Sequence, residues 1–244
     1  MTADRISRLT LTALLAVAAA GGAQAAPDTH GARDAVDWAG TYMGTLPSAS
    51  GGGYRTVLVL RDNDRYSLQQ DIEHKGKMES FSATGRFTWD KAGSTITLDD
   101  KGDKGDKQRF FVSEGFVEQQ GATPPAANMA KNYQLMRMQS YPAKGEELLI
   151  DASSVKADQP RKGWTSFDGV WNTSQPTQAG HKSLAARFEL NCAARQYRMP
   201  TIAYYSQPHK RGKLIDSAKN NDNDIPVTKE DKVMTQVMQD HCPR

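Results

Sequence analysis

Apolar residues in this chain recur mainly at every second position, in short runs broken by turn formers. Thr56 to Leu60 is a β-branched and aliphatic run that ends at Asp62-Asn63-Asp64, a strong turn signal. Gly40 to Leu68 therefore reads as strand, loop, strand, turn, strand. Downstream, Phe81, Ala83, Gly85, Phe87 and Trp89 alternate with Ser82, Thr84, Arg86 and Thr88. That period of two predicts one buried face and one wet face. Lys91-Ala92-Gly93-Ser94 turns the chain into Thr95 to Leu98, and Gln108 to Val112, Phe116 to Gln120 and Tyr133 to Met138 supply three more strands. A meander of about eight strands buries a core by closing into a barrel, which also removes exposed edges.

Tyr141-Pro142-Ala143-Lys144-Gly145 marks the expected junction with a second unit. Leu148 to Asp151 and Trp164 to Asn172 read as strands. Leu184, Ala186, Phe188, Leu190 and Cys192 alternate with Ala185, Arg187, Glu189 and Asn191, which puts Cys192 on an apolar face. Gln196 to Ser206 runs back. Near the end, Val233, Met234, Val237, Met238 and His241 form one stripe at helical spacing, so a helix is expected over Lys229 to His241, opened by Thr228 and Asp231 as a capping box. The fold class is mostly β: a tandem of a small antiparallel barrel and a second antiparallel sheet with a C-terminal helix.

The first residues change the setting. Arg5 and Arg8 precede a short apolar stretch, Leu9 to Ala20, and Ala23-Gln24-Ala25 offers a small-residue cleavage site. Residues 1–25 read as a secretory signal too short to span a bilayer, and 26–36 as a loose linker. No cysteine follows the cleavage site, so no lipid anchor is expected. Loss of Arg5, Arg8 and Asp4 lowers the formal charge of +3 by one, a balance that asks for neither nucleic acid nor a membrane surface. The localisation expected is periplasmic or secreted. In an oxidising compartment the two cysteines, Cys192 and Cys242, read first as a disulfide, with a metal pair as the alternative.

Leu46-Pro47 before the Thr56 strand resembles the N-terminal domain of the copper-resistance lipoprotein NlpE, a family that carries Leu-Pro-Cys-x-x-Cys-x-Gly there. Here Ser48, Ala49, Ser50 and Gly51 stand in place of the Cys-x-x-Cys. The resemblance covers residues 37–139 and implies a lipocalin-like barrel. Phe188 to Arg198, with its Glu-Leu-Asn-Cys-Ala-Ala-Arg-Gln-Tyr-Arg core, is similar to the surface-adhesin protein E domain, as are Leu149 to Ser154, Tyr204-Tyr205-Ser206, Gly212 to Ile215 and the terminal Cys242. That resemblance covers the end of the 140–244 unit from residue 145 and implies an antiparallel sheet, a short helix and one disulfide.

Candidate chemistry is sparse. Serine and glycine cannot replace thiolates for copper(I), so the Ser48 to Gly53 loop is expected to bind no copper tightly. Met136 and Met138, with Met129 upstream, are possible thioether ligands but read first as gap-filling side chains of a barrel wall. Asp99 to Lys107 lacks the spacing of a calcium loop. Ser48 and Ser50 lack a nucleophile elbow. His209-Lys210-Arg211-Gly212-Lys213 could meet phosphate, lipopolysaccharide or nucleic acid, but it reads as a solvated basic hairpin with no aromatic platform. Arg195 and Arg198 read as structural ion-pair partners, and His241 beside Cys242 as a docked helix end. No catalytic set, cofactor site or metal site is legible. The expected function is a non-enzymatic envelope protein that binds a small ligand or an unknown envelope protein, with the barrel interior as ligand site. The alternatives are a surface adhesin or host-protein binding module, and an uncharacterised hydrolase.

Overall fold

The computed structural model describes residues 31–242 apart from 49–51, 100–106, 122–125, 127 and 220. Eight strands follow one another as a meander: β1 (Gly40–Pro47), β2 (Gly53–Arg61), β3 (Arg65–His74), β4 (Lys77–Trp89), β5 (Thr95–Leu98), β6 (Arg109–Val112), β7 (Phe116–Gln120) and β8 (Gln134–Ala143). Each pairs antiparallel with the next, and β1 also pairs with β8, Thr41 opposite Met138 and Met43 opposite Met136. The meander is a closed eight-stranded barrel. Tyr42, Leu58, Tyr66, Phe87, Phe110 and Leu135 point inward and are almost wholly buried. An eight-stranded barrel is just wide enough to be filled by such side chains. The interior is therefore a packed core rather than the ligand cavity expected from the sequence.

Residues 31–36, read above as part of a loose linker, lie against the barrel. The helical turn α1 (Ala32–Ala35) is tied down by the Arg33 amide donating to the Gly93 carbonyl at 2.9 Å. Trp38 then packs edge-on against Phe87 and Trp89, at 5.6 and 5.4 Å between ring centroids, and its indole N–H donates to the Arg33 carbonyl. Apolar area at Ala32 and Trp38 explains why this polar-looking stretch is ordered.

The stretch Tyr141–Gly145, expected as a junction, turns β8 into β9 (Glu146–Asp151) as a β-hairpin with Ser140 opposite Leu149. Beyond it come β10 (Lys156–Ala157), β11 (Trp164–Thr173), β12 (Ser183–Asn191), β13 (Gln196–Gln207), β14 (Arg211–Lys219), β15 (Ile225–Pro226) and the helix α2 (Lys232–His241). The order β8-β9-β11-β12-β13-β14 makes the barrel and the second sheet one continuous ladder, with β8 serving both. A break there would leave Leu148, Leu149 and Ile150, all fully buried, without their neighbour.

Helix α2 starts at Lys232, three residues later than the expected Lys229. Asp231 is the N-cap, its carboxylate accepting from the Met234 amide at 2.9 Å. Ten residues make a marginal helix alone. Val233, Met234, Val237 and Met238 hold it by packing on Phe167, Phe188 and Leu190, each buried side chain contributing roughly 1.5–3 kcal/mol. The Cys192–Cys242 disulfide, with Cα atoms 5.5 Å apart, ties the C-terminal end of α2 to the end of β12.

His241 sits in this core. Its Nε2 is 2.9 Å from the Tyr141 hydroxyl, and its ring lies 5.9 Å from that of Phe167. Burial holds its imidazole below the ordinary value, against a smaller opposing pull from Asp240. The folded protein thus takes up this proton less readily than the unfolded chain. Stability is full above about pH 7 and declines as pH falls below the ordinary imidazole value of about 6.5. His209, also lowered mainly by burial, acts in the same direction. Melting temperature is expected to drop between pH 7.5 and 5.5, and His241→Gln should remove part of that slope while leaving the share due to His209.

Candidate functional site

Helix α2 covers one face of the second sheet; the other face turns toward the barrel. The register lays parallel rows of side chains across that face. In one row Met138 opposes Asp151, Asp168 opposes Arg187, Arg187 opposes Thr201, and Thr201 opposes Lys219. The next is apolar: Leu149 opposite Val170, Val170 opposite Ala185, Ala185 opposite Ala203. A third brings Ser183 opposite Tyr205. Because Ala185 and Ala203 are small, the middle row is a trough. Met43, Thr45 and Arg55 of the barrel wall form its other side, and the groove between them has a volume of about 470 Å³. That lies within the range of small-molecule sites.

Charge in the groove is uneven. Asp168 is paired with Arg187 at 3.2 Å, and Asp151 accepts from the amide and hydroxyl of Ser153. Both acids are therefore engaged. Arg55 donates to the Gly212 carbonyl and to the Met78 sulfur, and its guanidinium lies over the Tyr205 ring at 5.5 Å, with no carboxylate partner among the described residues. Lys210 and Lys219 likewise form no ion pair among the described residues.

The turn that carries Lys210 is conformationally costly. Arg211 closes it by donating its amide to the Pro208 carbonyl, and the two central residues, His209 and Lys210, have φ of 62° and 60°. Both central positions of such a hairpin turn need positive φ, for which Asn-Gly or Asp-Gly is the usual choice. Here side chains hold the backbone instead: the His209 amide donates to Asn172 Oδ1 at 2.7 Å and the Lys210 amide to Ser183 Oγ at 3.1 Å. Burial keeps the His209 imidazole below its ordinary value and so neutral at pH 7.

Beside the groove a buried polar clamp joins the two halves. Asp71 of β3 is fully buried and accepts from Arg211 Nη2 at 2.9 Å and from the Gly212 amide at 2.6 Å. Burial alone would raise its pKa; the Gly212 amide, the Arg211 side chain and the Ser80 hydroxyl outweigh it and hold the carboxyl below the usual range. Gly212 has φ of 71°, and a Cβ there would collide with Ser206 Oγ. The basic run read as a solvated hairpin is instead half interface: Arg211 and Gly212 are buried against the barrel, while Lys210 and Lys213 stay exposed.

The sequence-derived candidates scatter. Ser48 ends just past β1, and Ala49, Ser50 and Gly51 lie outside the described residues, as do most of the Asp99 to Lys107 loop and the N-terminal signal. Met136 and Met138 do not fill the barrel; Leu135 points inward and they lie on the outer wall, Met138 lining the groove with Met43. Met129 is exposed. Arg198 forms the structural ion pair expected, with Glu189 at 2.7 Å. Among the described residues no three His, Cys, Asp or Glu side chains gather as a metal site. Arg55, Asp71, Val170 and Ala203 had no local signal; only register and the packing of one half on the other bring them together.

Residues 42–125 match the family model of the NlpE N-terminal domain, and residues 135–243 match that of Surface-adhesin protein E. The chain joins an NlpE-like domain to an adhesin E-like domain. The second match begins within β8, the strand that both halves use. Among solved structures, a lipoprotein from Shewanella oneidensis is 29% identical over 44% of this chain and 94% of its own, with a TM-score of 0.39. The Cpx pathway activator NlpE from Escherichia coli is 16% identical over 72% of this chain and 95% of its own, with a TM-score of 0.29. No curated protein matches the chain at a significant level. Both matched families are envelope-associated and non-enzymatic. No helix among the described residues is long and apolar enough to cross a membrane. The groove between the NlpE-like and adhesin E-like halves has an apolar floor, and its described lining carries more cationic than acidic side chains.

Proposed function

We propose that this is an exported, non-catalytic protein of the cell envelope that works by binding, with the groove between the barrel and the second sheet as its ligand site. The observation that carries the reading is that both halves build the groove, the barrel through Met43 and Arg55 and the second sheet through Val170, Ala185 and Ala203. The Asp71–Arg211 clamp fixes these two sides relative to each other, which favours a preformed site. The N-terminal Arg5 to Ala25 pattern and the Cys192–Cys242 bond support an oxidising, exported location.

Export is tested by fractionating cells and weighing the intact mature chain. The expected result is a protein that begins near Ala26, found outside the cytoplasm and two hydrogens lighter than its reduced form. An uncleaved cytoplasmic chain with two free thiols overturns the envelope reading. Copper tolerance or an envelope-stress response, if it depends on this protein, appears as a changed phenotype of a deletion strain. Robust turnover of an ester, peptide or glycan that one point mutation abolishes overturns the non-catalytic reading.

A further inference from the structure

We propose that the groove takes a single-chain anionic amphiphile, its acid group held by Arg55 and Lys210 and its alkyl chain laid across Val170, Ala185 and Ala203 beneath Met43 and Met138. The inference rests on the groove being the ligand site and names what it holds.

Three observations converge. The first is charge: the groove's two acids, Asp151 and Asp168, are engaged by Ser153 and Arg187, while Arg55, Lys210 and Lys219 form no ion pair among the described residues. Burial first, and then the charge of nearby Arg55, weaken the hold of Lys210 on its proton, against a smaller opposing pull from Asp168. Cations that outnumber the acids around one space repel each other, a cost that an anionic ligand offsets. The second is the backbone: His209 and Lys210 occupy left-handed conformations that suit glycine, and two side-chain acceptors, Asn172 and Ser183, hold them there. Strain kept by such bracing places the Lys210 side chain beside the groove, and strain of this kind gathers at binding sites.

The third observation selects the body of the ligand. The floor lies on strands β11, β12 and β13, whose backbone groups are engaged in ladders with their neighbours. A peptide laid across β11, β12 and β13 finds their N–H and C=O groups already paired, and its own amides lose water without compensation. An alkyl chain has no polar groups to satisfy. From Val170 to Ser217 the trough crosses four strands, roughly 14 Å at about 4.8 Å between neighbouring strands. That length accommodates about ten to twelve methylenes, each contributing to binding as it leaves water.

The test is calorimetric titration of the exported protein, below micelle-forming concentrations, with dodecanoate, monododecyl phosphate, dodecanol, dodecyltrimethylammonium and an oligoglutamate peptide. The expected result is one-to-one binding of the two anions, at least ten-fold tighter than the alcohol or the cation, and none of the peptide. The stronger of the two anions separates a free fatty acid from a lysophospholipid-type phosphate head as the source. Two variants follow. Ala185→Phe fills the trough and should abolish binding. Lys210→Gly relaxes the turn, so it should raise the melting temperature while weakening the anions at least ten-fold. Equal affinity for anion and cation, binding of the peptide alone, or undiminished binding in Lys210→Gly overturns the proposal. Failure here with export intact rejects the ligand class and leaves the envelope reading standing; a cytoplasmic chain that still binds the anions does the reverse.

Discussion

Asp71→Ala is expected to lower the unfolding free energy by about 3–5 kcal/mol, the range for breaking one partner out of a buried ion pair. The substitution leaves the Arg211 guanidinium, only 10% exposed at its side chain, without its carboxylate, and it strips the Gly212 amide of its acceptor. Asp71→Asn keeps the shape and one acceptor and should cost less. Because the clamp links β3 to β14 across 140 residues of sequence, its loss should also separate one denaturation transition into two. Urea unfolding followed by tryptophan fluorescence and far-ultraviolet dichroism reads both effects. A change below 1 kcal/mol with a single transition would show that the halves hold together without the clamp. The sign with pH follows from the same carboxyl. Its folded pKa is depressed, so its stabilisation is complete above the ordinary aspartate value of about 3.9 and fades as pH falls through and below it.

Breaking the Cys192–Cys242 bond should have an effect of similar size. The two cysteines are 50 residues apart. A loop of that length removes about 4 kcal/mol of chain entropy from the unfolded state in the simplest model. Cys192→Ala, or reduction of the native protein, should therefore free the end of α2, and the second sheet should melt well before the barrel. Hydrogen exchange resolves the difference: amides of Val233 to Met238 should lose protection first, those of β2 and β3 last. Uniform loss over both halves would show that helix and barrel unfold as one unit.

Much of the architecture was legible because a β-strand advertises its buried face by alternation. The strand around Thr56 to Leu60 appears where its β-branched run placed it, those around Phe87 to Trp89 and Leu184 to Leu190 where period two did, and the stripe Val233 to Met238 is the buried face of α2. What alternation cannot report is the partner of the outward face. Val57 points out of the barrel yet is only 2% exposed. Asp71 looks like any polar outward residue between Gln70 and Ile72, and its partner is set by how the second sheet leans on β3. The basic run from His209 to Lys213 was misread for the same reason, since local charge says nothing about a carboxylate 140 positions away. The groove shares this blindness: Val170, Ala185 and Ala203 are ordinary strand residues whose common row exists only in the register.

Strand β8 bears on how such a protein can be inherited and engineered. It lends one edge to β1, at Met136 to Met138, and the other first to β7, at Gln134 to Met136, and then to β9, from Met138 to Ala143. No cut in the chain yields two whole modules. A barrel taken without Gln134–Ala143 opens along a seam, and a second sheet taken without it loses Tyr141 from its core. Recombination that exchanges either half must carry this strand along or duplicate it, so the fusion behaves as a single heritable unit even though two family patterns can be read in it.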